Sequence, residues 1–303
     1  MVVGRFAPSP TGPLHLGSLV AAVGSWLFVR ASGGRWLVRM EDLDTARVVT
    51  GSSDEILRVL ELYGLCPDGD VVWQSRRVGL YEEALRLLRE RGLAFDCACS
   101  RAEVTRAASA PGSGEGAEGP VYPGTCRSGL APGKAARAVR FRVRGESVSF
   151  TDRVRGTVSE DVASAVGDFV LRRADGPFAY QLAVVVDDAE QGIDEVVRGA
   201  DLLPSTPRQI LLQRALGLPQ PRYAHLPLVL GPDGRKLGKR DGALPLEAMD
   251  ERRIRSTLAL ALRILGQPSR EAAPPEMLGA AAAAFDPRAI PGAAFRLSAP
   301  LEG

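Results

Sequence analysis

Arg5-Phe6-Ala7-Pro8-Ser9-Pro10-Thr11-Gly12-Pro13-Leu14-His15-Leu16-Gly17-Ser18 is the stretch whose reading decides the fold. It follows a short apolar start, Met1-Val2-Val3, which can pair as the first strand of a sheet. Its three prolines and two glycines exclude regular helix and ladder strand. Directly after it, Leu19, Val20, Val23, Trp26 and Leu27 recur at helical spacing up to Arg30. The order is strand, stiff turn, helix. A helix N-terminus placed in this way offers unpaired backbone N–H groups and partial positive charge to a phosphate. Gly12 and Gly17 let a ribose or base lie on the backbone. Arg5 and His15 bring side-chain donors to the same place. A purely structural Pro/Gly turn before a core helix is the competing reading.

The segment Pro13-Leu14-His15-Leu16-Gly17-Ser18 resembles the HIGH signature of class I aminoacyl-tRNA synthetases. The preceding Arg5 to Gly12 string is similar to the glutamate-specific branch of that family. The resemblance implies an α/β fold, a Rossmann-like catalytic domain on a parallel sheet. It also implies ATP on Gly12, His15 and Gly17, and L-glutamate beside Arg5, Phe6, Ala7, Pro8 and Ser9.

The chain has 303 residues, 45% apolar and 24% charged. That is ordinary for a soluble protein and enough for one large α/β domain or two to three smaller ones. A net charge of +2 makes no global case for a nucleic-acid partner. No apolar run approaches membrane-spanning length. The charged, Pro-rich motif from Arg5 is incompatible with a signal peptide. Four cysteines do not make a disulfide scaffold, and a reducing cytoplasm is the expected location. A monomer is expected.

Moving outward, Trp36 to Met40 reads as a second strand that ends in Glu41-Asp42-Leu43-Asp44. In open α/β sheets the carboxyl ends of strands hold the ligand. These acids could form a solvated turn, with Asp44 or Thr45 capping the next helix. Alternatively, Glu41 could receive a substrate ammonium group. The string Arg-x-Glu-Asp-Leu-Asp resembles the amino-acid-binding segment of the glutamate branch, which implies the second role. Thr50 to Leu62 is an amphipathic helix, Val71 to Ser75 a strand end, and Tyr81 to Arg91 a helix stopped by Gly92.

Cys97-Ala98-Cys99 and Tyr122-Pro123-Gly124-Thr125-Cys126 flank a Gly/Ser/Ala/Glu-rich stretch from Ala107 to Gly119, which is expected to be a mobile surface loop. Three cysteines suit either reduced structural residues or a tetrahedral metal site lacking one ligand. The pattern resembles the zinc knuckle of the glutamyl-queuosine tRNA(Asp) synthetases. That resemblance implies one structural Zn²⁺ on Cys97, Cys99, Tyr122 and Cys126. A phenolate ligand is chemically reasonable, because the cation lowers its pKa as it does for water.

Ala138 to Val143 and Val148 to Phe150 alternate like a hairpin, and Arg137, Arg140, Arg142, Arg144, Arg153 and Arg155 lie along and after it. They form either a solvated basic face or a contact with RNA phosphates. Asp168 to Arg173 reads as a buried strand returning to the main sheet. Phe178 to Asp188 is the next apolar run, and its even apolarity fits an element covered on both sides. Ile193 to Leu202 is a strand and turn. Tyr-Gln-Leu-Ala-Val-Val-Val-Asp-Asp and Val-Arg-Gly-Ala-Asp-Leu resemble glutamate-branch segments. They imply Tyr180 and Arg198 as glutamate ligands, with Arg198 pairing the side-chain carboxylate.

Thr206 to Leu216 is a helix with Pro207 in its first turn. His225 reads as a core histidine and not as a catalyst. Lys236-Leu237-Gly238-Lys239-Arg240 resembles the second class I signature, KMSKS, with Gly238 where the family usually has serine. It implies Lys236 and Lys239 on the phosphates of ATP, with Mg²⁺ accompanying the nucleotide. His15 and Lys239 are the implied catalytic residues. Glu247 to Leu265 and Glu276 to Phe285 are helical.

The expected division is a catalytic domain over 1–95 and 168–235, a zinc-binding α+β insertion over 96–167, and the KMSKS-like loop with a helical stem-contact region over 236–303. An ordinary glutamyl-tRNA synthetase would continue into an anticodon-reading domain. The resemblance therefore implies tRNA-independent formation of glutamyl-adenylate, followed by transfer to the queuosine base of tRNA(Asp). A minimal enzyme charging tRNA(Glu) and a catalytically silent RNA- or nucleotide-binding paralogue are the alternatives.

Overall fold

A computed structural model describes residues 1–108, 115–116, 119–237, 246 and 250–298. In chain order the first elements are β1 (Val3–Phe6), α1 (Leu16–Arg30), β2 (Arg35–Met40), α2 (Ser52–Leu62), β3 (Val72–Trp73), α3 (Val78–Glu90), β4 (Ala94–Cys97) and α4 (Arg101–Ala108). The middle of the chain holds β5 (Glu115–Gly116), β6 (Gly119–Pro120), β7 (Ala138–Phe141), β8 (Ser147–Asp152), β9 (Gly156–Asp161), α5 (Val162–Ala165) and β10 (Val170–Arg172). Then follow α6 (Tyr180–Glu190), β11 (Glu195–Gly199), α7 (Thr206–Leu216), β12 (Arg222–Leu226), β13 (Val229–Leu230), α8 (Glu251–Ile264), α9 (Pro274–Ala283) and β14 (Phe295–Arg296).

Seven strands form the large sheet in the order β3-β2-β1-β11-β12-β8-β9. All neighbours are parallel except β8 and β9. The chain reverses direction of winding between β1 and β11, and the carboxyl ends of strands at such a switch point open a crevice. Helices cover both faces. On one side α1, α8 and α9 build a core around Leu16, Leu27, Phe28, Trp36, Leu258 and Leu262. On the other, α3, α6 and α7 pack through Tyr81, Leu85, Leu182, Val184, Ile210 and Leu212. The apolar run from Phe178 is covered on both sides, as read, but it folds as the buried helix α6. No helix among the described residues is long and apolar enough to cross a membrane.

Two expectations about strands fail. Ala138 to Val143 and Val148 to Phe150 do not pair with each other. β7 sits between β10 and β4 in a separate antiparallel sheet, while β8 joins β12 of the large sheet. Asp168 to Arg173 likewise contributes β10 to the small sheet and not to the main one. Alternation marks a half-buried strand but carries no information about which sheet receives it. The acidic cluster also caps no helix: α2 starts after Gly51, whereas Asp44 accepts hydrogen bonds from Arg47 and Arg173 at 2.8 and 2.6 Å.

Candidate active site and metal centre

The turn between β1 and α1 is held from three directions. Pro8 O accepts from the N–H of Glu41, and Pro10 O accepts from Val49, so the end of β2 and the next loop are stitched to it. The Ser52 hydroxyl bridges the backbone of Gly12, accepting from its N–H at 3.1 Å and donating to its carbonyl at 3.0 Å. His15 is the N-cap of α1, and its Nδ1 accepts from the Ser18 N–H at 3.2 Å. A neutral imidazole that accepts at Nδ1 carries its proton on Nε2.

Three cavities meet around this turn. One of about 370 Å³ is lined by Gly12, His15, Gly17, Pro8, Lys236 and Asp201. A second of about 370 Å³ is lined by Ala7, Ser9, Glu41, Tyr180, Asp44 and Arg173. The smallest, about 120 Å³, has Arg5, Phe6, Ala7, Tyr180 and Arg198 in its walls. Ser9 is common to the first two, and Ala7 and Tyr180 to the last two. The sequence-derived nucleotide and amino-acid residues therefore converge. Lys239 is the exception, since it lies outside the described residues. Lys236 is paired with the carboxylate of Asp201.

The floor of the amino-acid side is a buried charge network that the sequence did not disclose. Arg5 donates through Nε and Nη2 to Asp188 at 2.9 and 3.3 Å. Arg39, fully buried, donates to Asp188 and Gln191, both at 2.7 Å, and to Glu41 at 3.2 Å. Burial alone would raise the Asp188 carboxyl, but Arg5 and Arg39 together hold it below the ordinary carboxylate range. Glu41 moves the other way: burial outweighs the pull of Arg39 and Arg5 and raises it. Of two neighbouring acids, one is neutralised by arginines and the other is short of positive charge. An incoming ammonium group would supply it.

The four sequence-derived metal residues also come together. Cys99 Sγ and Cys126 Sγ are 3.7 Å apart, and the Tyr122 hydroxyl lies 3.5 Å from Cys97 Sγ and 3.8 Å from Cys99 Sγ. Zn²⁺ with Zn–S bonds near 2.3 Å requires tetrahedral S···S edges of about 3.8 Å and slightly shorter S···O edges. The donor set fits both in chemistry and in size, and the three thiols can hold a metal ion. Burial pushes the Cys99 thiol up to about 11 and raises the Tyr122 hydroxyl as well, whereas for Cys126 burial is outweighed by hydrogen bonds led by Tyr122, which lower the thiol. Arg140 supplies part of the surrounding charge. Its Nε donates to Cys97 Sγ at 3.3 Å, and its guanidinium stacks 4.0 Å from the Tyr122 ring centroid.

That placement alters the reading of the basic residues. Arg142 stacks on Phe95, Arg153 pairs with Glu195, and Arg155 donates to His225 O. The arginines between 137 and 155 divide between two sheets and form no single row. Arg137, Arg144 and Arg153 are the exposed ones.

Residues 1–272 match the family described as tRNA synthetases class I (E and Q), catalytic domain. The chain belongs to that family. Within it, the chain is 58% identical to the glutamyl-Q tRNA(Asp) synthetase of Geobacter sulfurreducens, over 97% of this chain and 95% of that protein. It is 56% identical to the protein of the same name from Dechloromonas aromatica, over 89% and 87%. A glutamate tRNA ligase of Elizabethkingia meningosepticum, solved with its amino acid, superposes with a TM-score of 0.82 at 28% identity, over 98% of this chain and 67% of that one. The crevice of this class I synthetase is thus built from the first crossover, α6 and β11, and Asp188, Arg39, Asp201 and Thr206 are the polar residues to which sequence reading gave no role, while His225 is buried, as read. Asp188 had a signal: it ends an apolar run, where an acid must find a buried partner.

Proposed function

We propose that this synthetase activates L-glutamate with ATP, without tRNA, and transfers it to the queuosine base in the anticodon loop of tRNA(Asp), as a monomer in the cytoplasm. The observation that carries the amino-acid choice is Arg198. It is 5% exposed, lines the smallest cavity, and makes no ion pair among the described residues. A buried guanidinium without a counter-charge favours an anionic side chain and disfavours an amide. The names of relatives that match along most of the chain support the choice of tRNA(Asp).

In this reading Arg198 and Tyr180 take the side-chain carboxylate, and Glu41 takes the ammonium group. Arg5 and the backbone from Phe6 to Ser9 shape the space between them. The α-carboxylate oxygen attacks the α-phosphorus, one P–O bond forms, and the bond to the leaving pyrophosphate breaks. Two anions must meet, so the rate comes from alignment and from donors placed where charge develops. The Nε2–H of His15 and the N-terminus of α1 serve the α-phosphate. Lys236 leaves Asp201 to join Lys239 on the pyrophosphate. Mg²⁺ arrives with ATP. Cys97, Cys99, Tyr122 and Cys126 would hold a structural Zn²⁺ that braces the small sheet.

The test is pyrophosphate exchange with glutamate in the absence of tRNA, followed by transfer of labelled glutamate to tRNA(Asp) with and without queuosine. Exchange and queuosine-dependent labelling are expected. Label on the 3′ end of tRNA(Glu) instead would refute the transfer step.

A further inference from the structure

Arg198 has five N–H donors. Its Nε donates to His225 Nε2 at 3.0 Å. Nη2 donates to Thr206 Oγ1 at 2.8 Å and to Leu202 O at 3.3 Å, and Nη1 donates to the Tyr180 hydroxyl at 3.2 Å. One N–H is left, on Nη1 beside Tyr180, and both residues line the smallest cavity. The guanidinium is thus held along one edge and offers the other.

The holding edge is built from well-buried groups. His225 and Thr206 have no exposed surface, and Asp152 has 2%. For His225 Nε2 to accept from Arg198, the imidazole proton must sit on Nδ1. Nδ1 lies 2.6 Å from Asp152 Oδ2. Asp152 is itself fixed, because its Oδ1 accepts from the backbone N–H groups of Val154, Arg155 and His225 at 3.0, 2.9 and 3.2 Å. Burial, reinforced by the charges of Arg198 and Arg155, holds His225 down at about 4 against the pull of Asp152, so the ring is neutral at physiological pH. A protonated ring would present a second donor to Arg198 and break the contact.

Neither Asp152 nor His225 lines any of the three cavities. Resting on the glutamate reading above, we infer that Asp152 and His225 are positioning residues that orient the Arg198 guanidinium for the side-chain carboxylate of the amino acid. The relay runs from the backbone after β8 through Asp152 and His225 to Arg198 and Tyr180. It gives a buried histidine that touches no substrate a role in substrate selection.

The experiment uses the full chain and compares His225→Leu, which removes the acceptor, with His225→Gln, which keeps one. Glutamate-dependent pyrophosphate exchange gives separate KM values for L-glutamate and ATP, and urea unfolding shows that each variant is folded. Loss of a buried hydrogen bond to a charged group should raise the glutamate KM of His225→Leu roughly ten- to a hundredfold. The ATP KM should stay within about twofold. His225→Gln should recover most of the loss. A folded His225→Leu with the wild-type glutamate KM, or one that raises both KM values equally with no recovery in His225→Gln, overturns the inference. Nitrogen-15 NMR of the wild-type protein decides the relay without any substrate: an Nδ1–H tautomer supports it, and an Nε2–H tautomer or a charged ring overturns it. Absence of glutamate exchange in the wild type would instead count against the glutamate reading, and the NMR result would still stand.

Discussion

A buried charge that lacks an opposite partner is the most informative residue-scale feature of this protein. Arg5 and Arg39 have Asp188, but among the described residues Arg198 has only neutral acceptors. His225 has a measurable consequence of the same kind. Above about pH 6.5 it is neutral folded or unfolded and contributes nothing to pH dependence. Between that pH and about 4, the unfolded chain binds a proton that the folded chain refuses. Stability therefore falls with acidification across this window, by up to roughly 3 kcal/mol at its lower end. Urea midpoints from pH 7 to 4 should show this loss in the wild type and a flatter profile in His225→Gln. Equal slopes would contradict the buried neutral ring. Sequence reading recognised His225 as a core histidine, but its attachment to Arg198 depends on two adjacent parallel strands, β11 and β12, in which residues 198 and 225 are register partners.

The first crossover shows how one element serves stability and chemistry with opposite demands. α1 is buried almost all round, and its N-terminal turn faces the 370 Å³ cavity. Helix propensity favours alanine over glycine at position 17 by about 1 kcal/mol. The site does not: a Cβ there would lie 3.0 Å from His15 Cε1 and 3.1 Å from Nδ1. The imidazole would have to give by a few tenths of an ångström, which moves it off the position it holds in the cavity. Gly17→Ala should therefore keep or raise the melting temperature while cutting glutamate-dependent pyrophosphate exchange by roughly tenfold or more. Unchanged exchange in a folded variant would remove His15 from the proposed role. This helix was legible in the sequence from Leu19 onward, but its first turn from Leu16 and the His15 cap were not, because the apolar spacing starts only after the Pro/Gly turn. The pairing of β7 and β8 was not, because alternation looks the same in either sheet.

At the scale of the whole molecule, the protein is a large α/β body with a small sheet, β10-β7-β4, attached beside it. The apolar cluster that includes Cys97, Tyr122 and Cys126 has only six buried members among the described residues. So small a core rarely holds itself together without a metal or disulfide, and the cysteines are free. Elemental analysis should find about one zinc per chain. Cys126→Ala should lose it and expose the segment around residues 95–130 to proteolysis. Glutamate activation should persist in that variant, because the three cavities are lined by residues outside this cluster. A metal-free protein that resists proteolysis equally well would exclude the zinc reading. What the sequence by itself determined was local: the stiff turn after β1, the helix that follows, the cysteine spacing, and the residue types that ATP, glutamate and a metal would need. Those follow from backbone restriction and periodicity, which act over a few residues. Only the tertiary structure decided which sheet each strand joins, that Asp188 neutralises Arg5 and Arg39, and that Asp152 reaches Arg198 through His225. Those partners lie tens to hundreds of positions apart, and burial makes their pairing obligatory only after the chain has closed around them.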